Sequence, residues 1–457
     1  MTSPVVVAGA GGAGLAAALS AAQCGVDTVV LEANLHYRHA CTTVMSTGLV
    51  PGAGTPAQQA ANVDDSPEDY AADILAKTGE TSDPVTTATL TARSAELVEW
   101  LGRSLRRALE LATDARYPGH RRHRLHAPAD RSGRTLHGAL NRAVIAHDVE
   151  VLMPYRLVGV AERTDALRLT VATPDGARHE MDAGALVLAT GGFAQDPELV
   201  RRHLPQLEAA TYFGGDHSDG QALRLAEELG LDCAYLDSYT GHASYAHNHG
   251  VLVTWNAVMH GGVIVNTAGR RFADESIGYS GFADALAGQE ASRGFLLLDQ
   301  RIADACKTFP EFTQLRDAGG IRWADDPVAL ARAIGVPETV LGATLEEAGI
   351  AATGAHPDPH GRTDWEAPLA WPVGVIPISP ILGMSQGGLV TDEQARVRRD
   401  GRAVPRLYAA GGAATGTSGH GGEGYLAGNG LLLALGLGYI AGRDAARVVS
   451  HYGHRAP

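Results

Sequence analysis

The 457-residue sequence predicts an α/β fold: a parallel sheet with an added antiparallel layer, interrupted by an inserted α+β domain. Three observations predict it. The opening, SPVVVAGAGGAGLAAALSAAQCGVDTVVLEAN, runs strand, glycine turn, helix, strand. Buried-strand runs return at ALVLATGG (185–192) and RLYAAGG (406–412). Between about 238 and 380 the texture changes to a mixture of His, Tyr, Trp and Gly with short elements.

The unbroken apolar run VVVAG reads as a parallel strand covered on both faces, and LAAALSAAQCG as a helix of small residues able to approach a sheet closely. Gly25 ends that helix and TVVLE follows as the next strand, which completes a βαβ unit. Residues 66–105 read as two helices, the first opened by Ser66 with Pro67 at its first position. Another helix is expected over 133–148. VEVLMPYRLVGVAERT and ALRLTVAT read as strands of the antiparallel layer, and SDGQALRLAEELG (218–230) as a capped helix. In the insertion, GGVIVN and FLLLDQ read as strands, with two helices around 327–348. Past Gly387 the buried-strand pattern resumes, and a last helix starts near Asn429. The nucleotide-binding type of domain is thus expected at 1–237 and 381–457, with the insertion at 238–380.

Composition narrows the function classes. Hydrophobic residues at 45% and charged residues at 19% are those of a globular protein with a sizeable core. A net charge of −14 argues against nucleic acid as partner, because phosphate binding needs a basic face. The four cysteines, Cys24, Cys41, Cys233 and Cys306, lie far apart without metal-ligand spacing, so neither a zinc site nor a disulfide scaffold is expected. No metal is assigned to His242, His247, His249 and His260, whose spacings fit no helical ligand pair. No basic leader precedes the first strand, and GLLLALGLGYIAG (430–442) is too short and glycine-broken to span a bilayer. A cytoplasmic protein without stable membrane insertion is expected.

The chemistry starts in GAGGAG. Gly9 supplies a tight turn, Gly11 close approach of backbone to a pyrophosphate, and Gly14 close helix packing, with the phosphate at the helix N-terminus. Glu32 ends the second strand, about 20 residues further on, where a carboxylate accepts a hydrogen bond from a ribose hydroxyl. A Rossmann-like dinucleotide site follows. ATGG, with Ala189 and Gly191, and AAGG, with Gly411 and Gly412, are further strand ends that offer small residues to a ligand. The helix opened by Asn429 and Leu431 presents its N-terminus, which favours negative charge on a reduced flavin ring. Three such glycine-rich ends spread over the chain suit an extended FAD better than NAD.

In order along the chain, GAGGAG with Glu32, ATGGF, the SDG turn, GRRFADE, GMSQGGLVTDEQARV, LYAAGG and GYLAGNGL resemble the flavoprotein family of fumarate reductase, succinate dehydrogenase and 3-ketosteroid dehydrogenase. The resemblance covers nearly the whole chain and is weakest at 35–130 and 285–370. It implies that the insertion is a capping domain, that substrate lies between cap and flavin, and that a carbon–carbon bond is oxidised or reduced. It also implies flavin contacts at Asp219 of the SDG turn and at Thr43, Ser46 and Gly48 of RHACTTVMSTG. His39 or Cys41 is the alternative there, as a covalent attachment point.

The family divides by its proton-transfer group. Fumarate reductases carry an arginine four residues after the glutamate of GRRFADE, histidines before a GG pair and a further arginine near the C-terminus. This sequence has Tyr279, ILGMSQ and GGEGYLAGNG at those places. It resembles the 3-ketosteroid dehydrogenases, which implies Tyr279 as base and Tyr425 as a group polarising a ketone, with the backbone amide of Gly428 as a possible oxyanion donor and Tyr117 of RYPGH as a third, supporting tyrosine. A phenol is a weak base at neutral pH, so the ketone oxygen must be hydrogen-bonded while the α-proton leaves. A packing role for Tyr279 and a lid role for Tyr425 stay open. The expected substrate is a small ketone or enone, with the electron acceptor undetermined. The competing readings are a reductase of unsaturated carboxylates that uses the arginines at 121–124, and an electron-transfer subunit. The latter is disfavoured by the lack of a cysteine cluster or haem-attachment pair.

Overall fold

A computed structural model describes residues 3–114 and 116–453. The chain forms two compact units. The first comprises the described residues up to Leu204 together with Phe213–Tyr239 and the chain from Gly383; the second comprises Pro205–Tyr212 and Thr240–Leu382.

The first unit is built on a six-stranded sheet. Its order is Arg396–Arg399, Arg402–Ala409, Ala185–Leu188, β1 (Val5–Ala8), β2 (Thr28–Leu31), Glu150–Leu152. All pairings are parallel except the hairpin at the Arg396–Arg399 edge. β1 is central, with Val6 paired to Leu186 on one side and Val29 on the other, and its side chains are fully buried as an inner parallel strand requires. Helix α1 (Gly12–Ala22) follows, and its small residues serve a partner the sequence did not suggest. The long helix Asn429–Gly453 lies against it so closely that a Cβ at Gly438 would fall 2.4 Å from the Ala13 carbonyl oxygen, and one at Gly442 would fall 2.1 Å from that of Ala17.

Several elements differ from expectation. Residues 66–105 hold three helices, Pro67–Lys77, Pro84–Ala92 and Ser94–Leu105. Asp83 and Pro84 restart the chain as a second N-cap and first-turn pair, with the Asp83 side chain accepting from Thr86 N. Ser66 caps the first helix through Asp69 N as expected. The Glu150–Leu152 strand joins the parallel sheet instead of the antiparallel layer. That layer has three strands, Arg156–Glu162, Leu167–Ala172 and Arg178–Ala183. The third shows no apolar alternation in the sequence, because Arg178, His179, Glu180 and Asp182 are polar and exposed on both of its faces. The helix Gln221–Leu229 has no side-chain N-cap: Gly220, at φ +79°, opens it.

The second unit carries a mixed sheet centred on the long strand Val373–Ser385, flanked by Gly294–Asp299 and then Val263–Asn266 on one side. Its helices include Pro327–Ile334 and Glu338–Ala352, at the positions expected around 327–348. Among the described residues no single helix is long and apolar enough to cross a membrane.

Two buried histidines make the first unit acid-sensitive. His126 bonds through Nδ1 to the Arg124 carbonyl and through Nε2 with Thr55 Oγ1, and His120 bonds through Nε2 to the Ala427 carbonyl. Burial pushes each down to about 4. The unfolded chain takes up these protons below its ordinary value of about 6.5 while the folded chain does not. Stability is therefore unaffected above that value, falls as pH drops from about 6.5 towards 4, and loses about 1.4 kcal/mol per pH unit for each histidine. Thermal melts across this range should show the decline, and His126→Gln should flatten it.

Candidate active site

The first unit contains a groove of about 1240 Å³, counting its open mouth, along the carboxyl ends of its parallel strands. The three glycines of the opening motif have distinct tasks there. Gly9 sits at φ +110°, and a Cβ would fall 2.3 Å from the Ala189 carbonyl oxygen. Gly14 does not line the groove: a Cβ would stand 1.8 Å from the Gly9 carbonyl oxygen, so it lets α1 start directly against the turn. Gly11 lines the groove and faces nothing in the chain within 4 Å. A bare backbone at the start of a helix, opening on empty space, is the cradle that a pyrophosphate requires.

Glu32 ends β2 at the groove. One carboxylate oxygen accepts from Ala10 N at 2.6 Å and the other from Asn34 N at 2.7 Å. Desolvation raises its pKa, with the two amide bonds pulling the other way. Each oxygen keeps acceptor capacity for a ribose hydroxyl. Thr43 accepts from Gly12 N through Oγ1 at 3.0 Å, which pins the 40s segment to the first turn of α1. Ser46, Ala189, Gly191, Gly411, Gly412 and Leu431 also line the groove. The set fits FAD: a glycine cradle, a ribose-binding acid, and small residues along two further strand ends.

Other expected contacts stand elsewhere. Gly48, at φ +69°, turns the chain against Ser132 and does not line the groove. Asp219 is held by Arg156, whose Nη2 meets both carboxylate oxygens at 2.8 and 2.7 Å; Arg156, not Asp219, lines the groove. Asn429 is buried behind the lining, bonded to Tyr70 and Thr417. Of the two proposed attachment residues, Cys41 lines the groove, with its thiol pushed up to about 11 by burial. His39 does not line it, and its Nδ1 meets Arg134. The sequence reading missed Tyr155, Arg156, Leu157 and His217 in the lining. His217 holds a left-handed backbone at φ +64°, unusual for a residue other than glycine. The available signal was YRLVG directly after the short strand at 150–152, at the end of a parallel strand.

Tyr425 lines the groove, and its phenol oxygen accepts from Gly430 N at 3.2 Å. Accepting an amide hydrogen makes the phenol a better donor of its own proton. Gly428 is at φ +85°, where a Cβ would approach the Leu49 carbonyl oxygen to 2.9 Å, and its carbonyl accepts from Leu431 and Leu432. It does not line the groove, and neither does Tyr117, a half-buried residue whose carbonyl accepts from His120 N.

In the second unit Tyr279 is the first residue of the helix Tyr279–Ala287, after Gly278 at φ +94°. Its ring stacks on His242, with centroids 4.7 Å apart and planes 17° apart, and meets Trp255 edge-on at 6.4 Å. Ser244 N donates to His242 Nδ1 at 3.2 Å, so Nε2 carries the imidazole proton. Desolvation lowers His242 to about 3. The phenol is thus faced by a neutral ring. Arg271 pairs with Glu275 at 2.6 Å and with Asp358, and Glu275 also accepts from Ile264 N. These charges brace the second unit internally.

A sequence profile described as an FAD binding domain matches residues 4–431. The chain belongs to this family. It is an FAD-dependent oxidoreductase. Among its relatives, the fumarate reductase (cytochrome) of Shewanella frigidimarina is 25% identical over 457 residues, which covers 98% of this flavoprotein and 77% of the relative. The 4-oxocyclohexanecarboxylate 2-dehydrogenase of Sinomonas cyclohexanicum is 29% identical over 301 residues, covering 59% of this chain and 52% of the other. In fold, the flavoprotein is similar to a flavocytochrome c3 fumarate reductase, with a TM-score of 0.79 and 24% identity over 98% of this chain and 78% of the other. It is also similar to the 3-ketosteroid-Δ4-(5α)-dehydrogenase of Rhodococcus jostii RHA1, with a TM-score of 0.76 and 23% identity over 97% and 96%.

Proposed function

We propose that this flavoprotein forms or reduces a carbon–carbon double bond next to the carbonyl of a small ketone or enone, with Tyr279 moving the α-proton and Tyr425 polarising the carbonyl oxygen. Bound FAD supplies the acceptor, or donor, of the hydride at the β-carbon. In the desaturating direction the α-carbon loses a proton to the Tyr279 oxygen, the β-carbon loses hydride, and the electron pair left at the α-carbon becomes the double bond. Tyr279 takes such a proton as its phenolate and only if the ketone is acidified, which is the task of the Tyr425 hydroxyl. His242 is neutral and stacked face to face with Tyr279, so it holds the phenol plane and is not aligned to receive the proton in its own plane.

The observation that carries this reading is the state of the arginines at 121–124, the candidates for a substrate carboxylate. Arg124 is fully buried between Asp65 and Asp73, Arg121 is bound to Asp73, and Arg122 donates to the Asp64 carbonyl. None lines the groove. A reductase of unsaturated carboxylates is favoured by the length of the match to fumarate reductases. It would need guanidinium groups that these ion pairs occupy. The relative that acts on 4-oxocyclohexanecarboxylate points to a cyclic ketone as substrate class.

The test is anaerobic mixing of the oxidised protein with 3-ketosteroids and cyclohexanones, and separately with succinate-like acids, following flavin absorbance. Bleaching by ketones is the expected result. Bleaching by the acids alone would overturn the ketone assignment.

A further inference from the structure

Arg124 is among the largest side chains that the fold shields completely. Burying a guanidinium with its partners is a poor way to gain stability, since apolar residues of similar size commonly do as well or better. The surroundings of Arg124 indicate another use. It grips Asp65 through Nε and Nη2 at 3.0 and 2.9 Å and pairs with Asp73 through Nη1 at 2.7 Å. Its guanidinium lies 4.5 Å above the centre of the Tyr70 ring. The Tyr70 hydroxyl donates to Asn429 Oδ1 at 2.5 Å, and Asn429 Nδ2 donates to Thr417 Oγ1 at 3.0 Å. Asn429 begins the long helix, and the next amide, Gly430 N, is the one that meets the Tyr425 oxygen. One residue before Gly428, the Ala427 carbonyl is held by His120.

We propose that Arg124 and Tyr70 form a positioning brace that fixes the start of the helix Asn429–Gly453, and so sets the field that bound FAD meets at Gly430 and Leu431. A cation over an aromatic face needs that face held still, and the two aspartates hold the cation. Tyr70 is then oriented from one side by charge and spends its hydroxyl on Asn429. Burial holds the phenol far above its ordinary pKa, so it stays a neutral donor. A helix N-terminus favours negative charge within about its first turn, so a small displacement of its first amides changes what it stabilises. None of the brace residues lines the groove, so their action on the cofactor passes through the helix. The inference rests on the cofactor and stands whether or not the ketone assignment holds.

Tyr70→Phe in the full FAD-loaded protein tests it, since the ring stays under Arg124 and only the hydroxyl is lost. FAD dissociation is expected to become about tenfold easier, and the flavin midpoint potential to move to a lower value, because a loosened helix end favours the reduced, negatively charged ring less. The potential is the deciding readout, as a lowered melting temperature alone would leave it unmoved. Thr417→Val, which removes the other bond to Asn429 without a change of shape, should shift the potential in the same direction. It serves as the test should Tyr70→Phe fail to fold. Wild-type FAD affinity and an unchanged potential in whichever variant binds FAD would overturn the proposal.

Discussion

Tyr279→Phe is expected to lower turnover of a ketone substrate by about 10²–10⁴-fold, the range that a positioned proton-transfer group contributes, while FAD stays bound. The substitution keeps the ring that stacks on His242 and meets Trp255, so it removes the hydroxyl and little else. Tyr279 belongs to the second unit and the cofactor-binding glycines to the first, which makes flavin content an independent control. Rapid-mixing kinetics of flavin bleaching, with the flavin-to-protein ratio measured on the same samples, checks both halves. Near wild-type bleaching with full flavin would remove Tyr279 from the chemistry and leave it as a packing residue.

The second large effect is expected at Gly14. In Gly14→Ala the added methyl would lie 1.8 Å from the Gly9 carbonyl oxygen and 2.9 Å from its carbonyl carbon, both main-chain atoms without a rotamer to change. Helix α1 must move away from the turn, at a cost of about 3 kcal/mol or more, the upper end of what overpacking a core exacts. The variant should lose its flavin and melt at a markedly lower temperature. Gly11→Ala is the informative contrast. A methyl there meets no atom of the chain within 4 Å, so the protein should fold with an unchanged melting temperature in its apo form and bind FAD more weakly. Equal loss of apo stability in the two variants would show that Gly11 is a packing glycine and not a cradle.

Backbone-driven features were readable in the sequence because only glycine, or an acid at a fixed strand end, satisfies them. Gly9, Gly11 and Glu32 lie at the groove, and Gly14 performs the packing task assigned to it. Features that depend on partners distant in the chain were not. Asp219 resembles a ligand in a turn but is bound by Arg156. The arginines at 121–124 read as candidates for holding a substrate carboxylate, yet Arg124 is buried with Asp65 and Asp73. No periodicity joins those three residues, so only the folded chain shows that they meet. The lining residues after Leu152 were missed because a three-residue strand carries too little pattern to reveal which sheet it joins.

The glycine seam between α1 and the helix Asn429–Gly453 has a consequence for how the molecule is made. Residues 12–22 must wait for residues 429–453 before either can bury its close-packed face. At about 5–20 residues per second the interval is roughly 20 to 80 s of synthesis. During it the second unit, whose main segment is continuous from Thr240 to Leu382, is completed. The cofactor cradle is thus among the last parts of the molecule to close. Substitutions along the seam should lower the fraction of new chains that acquire flavin even where the finished protein is stable.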